Sequence, residues 1–475
     1  MSLSLQGRTV LVAGLGVSGA AAARVLLDRG ARVLLTDATQ PSVGAELVSA
    51  GAEWLGAVTA VPDGTDLVVT SPGWRPDAPL LVGAAARGIE VLGEPELAWR
   101  LRAAGPAGEP APWLAVTGTN GKTTTVTMLE AILLAAGRRA VAAGNVGRPL
   151  IEVVTATDDD GNAAFDVIAV ELSSFQLHWS STIAPAAAAV LNVADDHTDW
   201  HGSFAAYRDA KAQILRYSPV AVADAGDPVA SALVVGHPHP VTVTLGEPEP
   251  GQLGVRSGAL VDRAFAVDPA GEVLLEAGEL QVPGPHNVVN ALTAAALARA
   301  AGIQAEAVGR GLAGFRGGAH RNVLIATVDG VDYVDDSKAT NPHAAGASLA
   351  AYPRVVWIAG GLLKGADVDP LVAAVAPRLA GVVLLGRDRA LIAASLARHA
   401  PTVPVETVVS GDDGGMDGTG VTGEATMRDA VAAAARLARP GDTVLLAPAA
   451  ASMDVFRDYG HRGASFADAV RALQQ

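Results

Sequence analysis

One short stretch constrains the chain more than any other: Val116-Thr117-Gly118-Thr119-Asn120-Gly121-Lys122-Thr123-Thr124-Thr125. An apolar run before it, Trp113-Leu114-Ala115-Val116, reads as a buried strand. The residues after it, Val126 to Leu134, space their apolar side chains to suit a helix packed on that strand. Strand, glycine loop, Lys-Thr and helix make the plan of a phosphate cradle. Glycines let backbone N–H groups turn inward, and the helix start adds partial positive charge. The lysine neutralises β- and γ-phosphates, and a hydroxyl at Thr123 or Thr124 is placed to hold Mg²⁺. A full phosphate loop has a further glycine upstream, where this chain carries Ala115 and Val116. The stretch therefore points to a nucleotide in an α/β sheet without selecting ATP over GTP.

The bulk composition narrows the rest. A length of 475 residues exceeds one ordinary core and predicts two to four domains. The net charge of -15 argues against a nucleic-acid scaffold, which needs a basic face, but not against anions held by local Lys and Arg. The absence of cysteine excludes disulfides, thiolate metal sites and Cys nucleophiles. Met1 to Arg8 has no basic flank followed by an apolar signal core, and no apolar run reaches the ~20 residues of a membrane span. A soluble, cytoplasmic, monomeric protein without membrane insertion or a nucleic-acid partner is expected.

The N-terminal stretch alternates strand and helix. Thr9-Val10-Leu11-Val12-Ala13 enters Gly14-Leu15-Gly16-Val17-Ser18-Gly19, an Ala-rich helix runs to about Asp28, and Arg32 to Thr36 is a strand ending in Asp37. This G-x-G-x-x-G in a βαβ unit, with an acid at the usual distance, reads by itself as a dinucleotide crevice, NAD(P) being one occupant. Asp66 to Thr70 is a third strand, and Ser71-Pro72-Gly73 turns near the same crevice. Ala103 to Pro112 has the Pro/Gly composition of a linker.

The strand Asp166 to Val170 delivers Glu171 to the loop end of the central sheet, the place for a Mg²⁺-holding carboxylate. The strand Ala187 to Val193 ends in Asp195-Asp196-His197, which reads as a second cation or substrate-orienting site. Ser203 to Lys211 reads as helix, and on pattern alone Lys211 sits on its solvated face. Leu245 to Gly254 reads as loop, and Asn290, near a helix start, reads as a cap or a base contact. A third set of βα units begins near Phe315. Val323 to Val328 and Val331 to Val334 form a hairpin signal around Asp329-Gly330. Asp335-Asp336-Ser337-Lys338-Ala339-Thr340-Asn341 follows, with Lys364 and Ser452 in later loops and a polar, glycine-rich loop from Gly411 to Gly420. Strand ends in α/β sheets present sites. A carboxylate activated by phosphoryl transfer and then attacked by an amine would use all of these parts. An NAD-dependent oxidoreductase leaves Lys122 and Glu171 without a role, and an ATP-driven transport module leaves Lys338 and Lys364 without one.

Over essentially its whole length the sequence resembles the Mur ligases of peptidoglycan synthesis. Gly118 to Thr124 is similar to their ATP loop, including its missing first glycine. Gly144-Asn145-Val146-Gly147, Glu171-Leu172-Ser173-Ser174-Phe175-Gln176-Leu177 and Asp335 to Asn341 resemble the version that adds D-glutamate to UDP-N-acetylmuramoyl-L-alanine. The resemblance implies three α/β domains. These are a Rossmann-like N-terminal domain for the sugar nucleotide (1–107), a central P-loop ATPase-type domain (108–317) and a C-terminal Rossmann-like domain for the amino acid (318–475). It implies that Gly16, Val17, Ser18, Asp37, Ser71 and Gly73 hold uridine diphosphate rather than NAD. Gly118, Thr119, Asn120, Gly121, Lys122, Thr123, Thr124, Asn290, His320, Arg321 and Asp336 fall to ATP. Thr123, Glu171, His197 and a carbamylated Lys211 fall to Mg²⁺, two ions being expected. Asn145 falls to the substrate, and Lys338, Thr340, Lys364, Ser452 and Tyr459 to D-glutamate. Lys122, His197 and Lys211 carry the chemistry. Tyr459 stands where the family has Phe, and Ala38-Thr39 follow Asp37 where Thr-Arg is common.

Overall fold

Each apolar run becomes a strand, and the strands sort into three sheets in a computed structural model that describes residues 4–408 and 423–474. The loop expected over 411–420 lies outside the described residues. The first sheet is parallel, in the order Glu53–Trp54, Arg32–Thr36, Thr9–Ala13, Leu67–Thr70, Glu90–Gly93. Thr9–Ala13 is its middle strand. The glycine turn after it therefore opens where the strand order reverses, the ligand crevice of such sheets.

The second sheet has nine strands. Trp113–Thr117 lies between Val167–Glu171 and Ala187–Val190, which sets the phosphate loop, Glu171 and the Asn192–His197 segment at one carboxyl edge. Ala140–Gly144 closes one side, and Ala221–Asp224 and Pro240–Val243 extend the other. Gln252–Arg256, Ala259–Asp262 and Glu272–Glu276 finish that side, the last two antiparallel. The loop expected from Leu245 to Gly254 thus ends in a strand. Leu253 and Gly254 pair with Asp262 and Val261 in a hairpin that turns at residues 257–258, a pairing that the Pro/Gly/Glu-rich composition does not report.

The third sheet runs Val323–Val328, Val331–Asp335, Thr443–Leu446, Val355–Gly360, Leu379–Leu385, Val405–Thr407, antiparallel only in its first pair. The turn of that pair has positive φ at both Asp329 (51°) and Gly330 (77°), as a two-residue hairpin turn requires.

By contacts the chain forms two compact units, residues 1–279 with 289–315 and residues 280–288 with 316–475. In the first unit one core serves both sheets. Val10, Leu35 and Leu97 belong to the same buried cluster as Trp113 and Ile168, and Trp99 meets Trp113 edge-on at 5.0 Å. The Pro/Gly-rich stretch between them is tied down. Gly105 N donates to Glu109 O (2.9 Å), Ala103 N to Val154 O (2.8 Å), and Ala163 N to Ala104 O (2.8 Å).

Two buried carboxylates clamp the junction within this unit. Glu96 accepts from Ser181 N (2.9 Å), Thr182 N (3.1 Å), the Thr182 hydroxyl and Arg100 Nε (2.9 Å). Burial alone would raise its pKa, but these donors outweigh burial and hold it below the usual range. Glu94 accepts from Ile151 N at 2.7 Å and has no cation beside it. Burial pushes it up to about 7, against the Ile151 and Leu150 amides and with help from Glu152. A folded pKa above the unfolded one means that the native state binds the extra proton between about pH 4.5 and 7. Stability therefore rises as pH falls through that window. Relative to Glu94→Gln, the wild-type chain should gain roughly 2–3 kcal/mol between pH 8 and pH 5 in urea titrations. A pH-independent difference would show that the carboxyl does not titrate there.

Candidate functional site

The phosphate loop is built by a backbone constraint. Gly121 opens the helix Lys122–Ala135 at φ 84°, and a Cβ there would lie 2.5 Å from Asn290 Oδ1. Asn290 lies within the helix Pro285–Ala300 and is buried, so it is not a cap. Its Oδ1 accepts from Thr125 Oγ1 at 3.2 Å and backs the loop. Asn192, which the sequence pattern does not single out, braces the loop's front. Its Oδ1 accepts from Asn120 N (2.8 Å), its Nδ2 donates to Asn120 O (3.1 Å), and its carbonyl accepts from Thr119 N (2.9 Å). Lys122 folds back onto the loop, donating to Gly118 O (2.9 Å) and Thr119 O (3.0 Å).

Glu171 is buried at the end of its strand, so it is not a surface acid. Its Oε2 accepts from Thr123 Oγ1 (2.7 Å) and its Oε1 from Asn145 Nδ2 (2.8 Å). Of the two candidate hydroxyls, Thr123 is the one hydrogen-bonded to this carboxylate. Lys211 corrects the sequence expectation most sharply. The helix Phe204–Ala212 buries Tyr207, Ala210 and Lys211, an i, i+3, i+4 stripe, so the lysine faces inward and is only 2% exposed. Its Nζ donates to the same Gly118 carbonyl (2.7 Å) and sits 4.5 Å from the centre of the Tyr207 ring. The Tyr207 hydroxyl in turn meets Thr119 Oγ1 at 3.0 Å. Burial, and then the charge of Lys122, hold the Lys211 amine well below the usual lysine range, against Asp196 and Glu171.

His197 starts the short helix Thr198–His201 at φ 53°. Its Nε2 lies 3.5 Å from Asp196 Oδ2 and its ring 4.7 Å from that of Phe175. Burial lowers its pKa; Asp196 opposes this, and Lys211 adds to it, so the imidazole is neutral at pH 7. Among the described residues no three His, Cys, Asp or Glu side chains gather as a metal ligand set. The Asp195-Asp196-His197 cluster is therefore not a preassembled cation site. Mg²⁺ needs only one or two carboxylates besides waters and phosphate oxygens, so Glu171 with the Thr123 hydroxyl fits it.

In the glycine crevice, a Cβ on Gly19 would come 1.9 Å from Gly14 O, so helix and turn meet there only without a side chain. Gly16 has open space instead, which leaves its backbone accessible to a ligand, and Val17 beside it is 76% exposed. Asp37 fixes the turn, accepting from Leu15 N and Ala38 N, both at 2.7 Å. Ser71 Oγ donates to Gly14 O (2.8 Å), and Gly73 borders open space.

The second unit has its own cluster. His320 Nδ1 and Asp335 Oδ2 are 2.6 Å apart, and Asp335 Oδ1 accepts from Ser337 N (2.9 Å). Asp335 carries no role in the sequence reading, yet its hydrogen bond raises the His320 pKa against partial burial. Asp336 is buried and pushed up to about 6, with Ser348 and Arg321 opposing the shift. Lys338 Nζ lies 3.6 Å from the centre of the Tyr459 ring, a cation–π contact that accounts for an aromatic residue there. Thr340 N donates to Lys338 O (2.8 Å), Lys364 takes φ 55°, and Ser452 is buried.

Comparison with known proteins agrees along the whole chain. Residues 8–93 match the Mur ligase MurD-like N-terminal domain, 116–298 the Mur ligase middle domain and 320–450 the Mur ligase glutamate ligase domain. The chain is 54% identical to the UDP-N-acetylmuramoylalanine–D-glutamate ligase of Thermobifida fusca (strain YX), over 99% of this chain and 100% of that one. It is 52% identical to the enzyme of the same name from Mycobacterium avium (strain 104), over 98% and 97%. Among solved structures, it matches a pseudomurein peptide ligase type C from Methanothermus fervidus, with TM-score 0.58, 18% identity and coverage of 98% and 100%. It also matches the UDP-N-acetylmuramate-alanine ligase of Thermotoga maritima, with TM-score 0.56, 19% identity and coverage of 98% and 99%. At these identities the structural matches speak for the fold.

The His320–Asp335 pair yields a direct test. Because the folded imidazole holds its proton more tightly, the pair stabilises most below about pH 6.5. That gain is lost as pH rises through the folded pKa. Asp335→Asn should return the His320 titration, followed by NMR, to the ordinary range or lower. An unshifted titration would remove Asp335 as the cause.

Proposed function

The chain belongs to the Mur ligase family, and we propose that it is the ligase that joins D-glutamate to UDP-N-acetylmuramoyl-L-alanine using ATP. The observation that carries this reading is the cradle in which Lys122 and Lys211 share the Gly118 carbonyl while Thr123, next in the chain to Lys122, donates to Glu171. The full-length identity to enzymes named for this reaction supports the amino acid chosen. In this reading residues 1–107 hold the sugar nucleotide, 108–317 the ATP and 318–475 the amino acid. Among the described residues no helix is long and apolar enough to cross a membrane. The cytoplasm is the compartment we propose.

The backbone of Gly16, Val17 and Ser18, with Ser71 and Gly73 opposite, receives the uridine diphosphate, while Asp37 keeps the turn in shape. The N–H groups of Gly118 to Thr124 receive the ATP phosphates, and Lys122 exchanges its two loop carbonyls for phosphate oxygens. Thr123, Glu171, His197 and Lys211 would hold Mg²⁺, which when bound offsets phosphate charge. The substrate carboxylate attacks the γ-phosphorus of ATP, giving an acyl phosphate and ADP. The D-glutamate amine attacks that carbonyl, loses a proton, and phosphate leaves as the amide forms. Activation is needed because carboxylate oxygen is a poor leaving group. His197, its pKa lowered by burial, orients substrate or accepts a proton, becoming imidazolium until it passes that proton on. Lys338, Lys364, Thr340 and Ser452 supply the cations and hydroxyls that a dicarboxylic amino acid needs.

The buried Lys211 amine, its pKa lowered by burial and by Lys122, also fits carbamylation: its deprotonated form takes up CO₂, releases a proton and becomes an anion. That change would place an anion beside the Lys122 cation. Activity should therefore fall in CO₂-free buffer and return with bicarbonate, in proportion to carbamate seen by ¹³C NMR. Activity indifferent to CO₂ would remove the carbamate.

The reaction itself is tested by phosphate release with UDP-N-acetylmuramoyl-L-alanine and ATP. D-glutamate should stimulate it, and L-glutamate, L-alanine and diaminopimelate should not. Lys122→Ala should lower kcat/KM by about 100-fold or more, the scale for losing a charge-stabilising donor. Stimulation by another of these amino acids instead would redirect the assignment.

A further inference from the structure

Arg462 is fully buried in the second unit, in the first turns of the helix Tyr459–Ala472, and touches no carboxylate. Its three donor groups each have an acceptor. Nε donates to Ser337 Oγ (3.0 Å), Nη2 to Ser337 O (2.8 Å) and Nη1 to Ala450 O (3.1 Å). Ser337 Oγ in turn donates a hydrogen bond to Tyr459 O at 2.8 Å. Burial lowers the guanidinium only to about 10, so it stays charged at neutral pH.

The acceptors lie on two different loops. Ser337 immediately precedes Lys338, and Ala450 lies two residues before Ser452. The second loop reaches a third, because Leu362 and Ala451 exchange backbone hydrogen bonds (2.8 and 2.9 Å) two residues before Lys364. The helix that carries Arg462 also carries Tyr459, whose ring supports the Lys338 ammonium. One guanidinium therefore joins the backbones bearing Lys338, Ser452 and Tyr459, and through Ala451 the loop of Lys364.

We propose that Arg462 is a positioning residue for the amino-acid pocket, setting the spacing of the loops that bind the two carboxylates of D-glutamate. The inference rests on the D-glutamate reading above. A dicarboxylate is bound by cations and hydroxyls at fixed separations, so a change in loop spacing weakens its binding more than it weakens ATP or sugar-nucleotide binding, which rests mainly on the first unit. A lysine cannot replace the fork, since an ammonium on a flexible stem does not span three acceptors on two loops.

The test measures phosphate release by wild type, Arg462→Lys and Ser337→Ala while each of the three substrates is varied, with thermal midpoints alongside. Arg462→Lys should raise the KM for D-glutamate at least tenfold. The KM values for ATP and the sugar nucleotide should stay within threefold. Ser337→Ala, which removes only the hydroxyl facing Nε, should raise the D-glutamate KM by about threefold and decides the question if Arg462→Lys does not fold. An active wild type whose variants keep the D-glutamate KM within twofold overturns the proposal. So does a loss shared equally by all three substrates, the mark of a structural role alone. A wild type that D-glutamate does not stimulate overturns the underlying reading instead.

Discussion

The carbonyl of Gly118 accepts from the side-chain nitrogens of two lysines, Lys122 at 2.9 Å and Lys211 at 2.7 Å, and the central site depends on that crowding. Positive charge on both would repel in this buried setting, which favours loss of the Lys211 proton or arrival of an anion. A phosphate draws Lys122 off the carbonyl, and a change in Lys211 relieves the rest. The surroundings keep this arrangement from relaxing elsewhere. Asn192 grips the front of the loop and Asn290 backs it, while Tyr207 ties Thr119 to the helix of Lys211. The loop is rigid because its neighbours leave it no other conformation, and Gly121 is glycine because both φ and Asn290 demand it.

A similar economy of polar contacts organises the rest. In the first unit Glu94 and Glu96 tie the end of one sheet region to the next, one with a titratable carboxyl and the other with an ionised one. The difference follows from the donors: Glu96 has four, one of them an arginine, whereas Glu94 has only backbone amides. In the second unit Asp335 holds His320 on one oxygen and Ser337 N on the other, and Ser337 then joins Arg462. Buried polar groups of this kind are satisfied together or not at all, because an unpaired member costs more than a made bond returns. They make the loops that carry Lys338 and Ser452 parts of one network.

Much of the architecture was legible in the residues. Apolar runs bounded by glycine gave the strands, and the Asp329-Gly330 turn gave the hairpin. The Gly-Lys-Thr loop between strand and helix fixed the phosphate cradle, because backbone donors at a helix start serve few other purposes. Glu171 was also readable, since a carboxylate closing a very apolar strand ends at the loop edge of the sheet. These are local facts, set by side-chain period and turn chemistry, and resemblance to a family extended them to substrates.

Other features depended on what tertiary structure brings together. Lys211 reads as solvated because lysine normally is, and only the burial of Tyr207 and Ala210 beside it turns that face inward. Asn290 reads as a cap until Gly121 and Thr125 are found against it, well over a hundred residues away in sequence. Asn192 and Arg462 carry no sequence signal, and Asp335 carries one only as part of a motif without a role of its own, since their roles lie in hydrogen bonds between segments that no local pattern connects. The sequence alone determined the main strands around the sites, the phosphate loop and the residue types at the strand ends. Tertiary structure decided which of those residues are charged, which are braced and which share an acceptor, because burial and pairing are properties of the assembled fold.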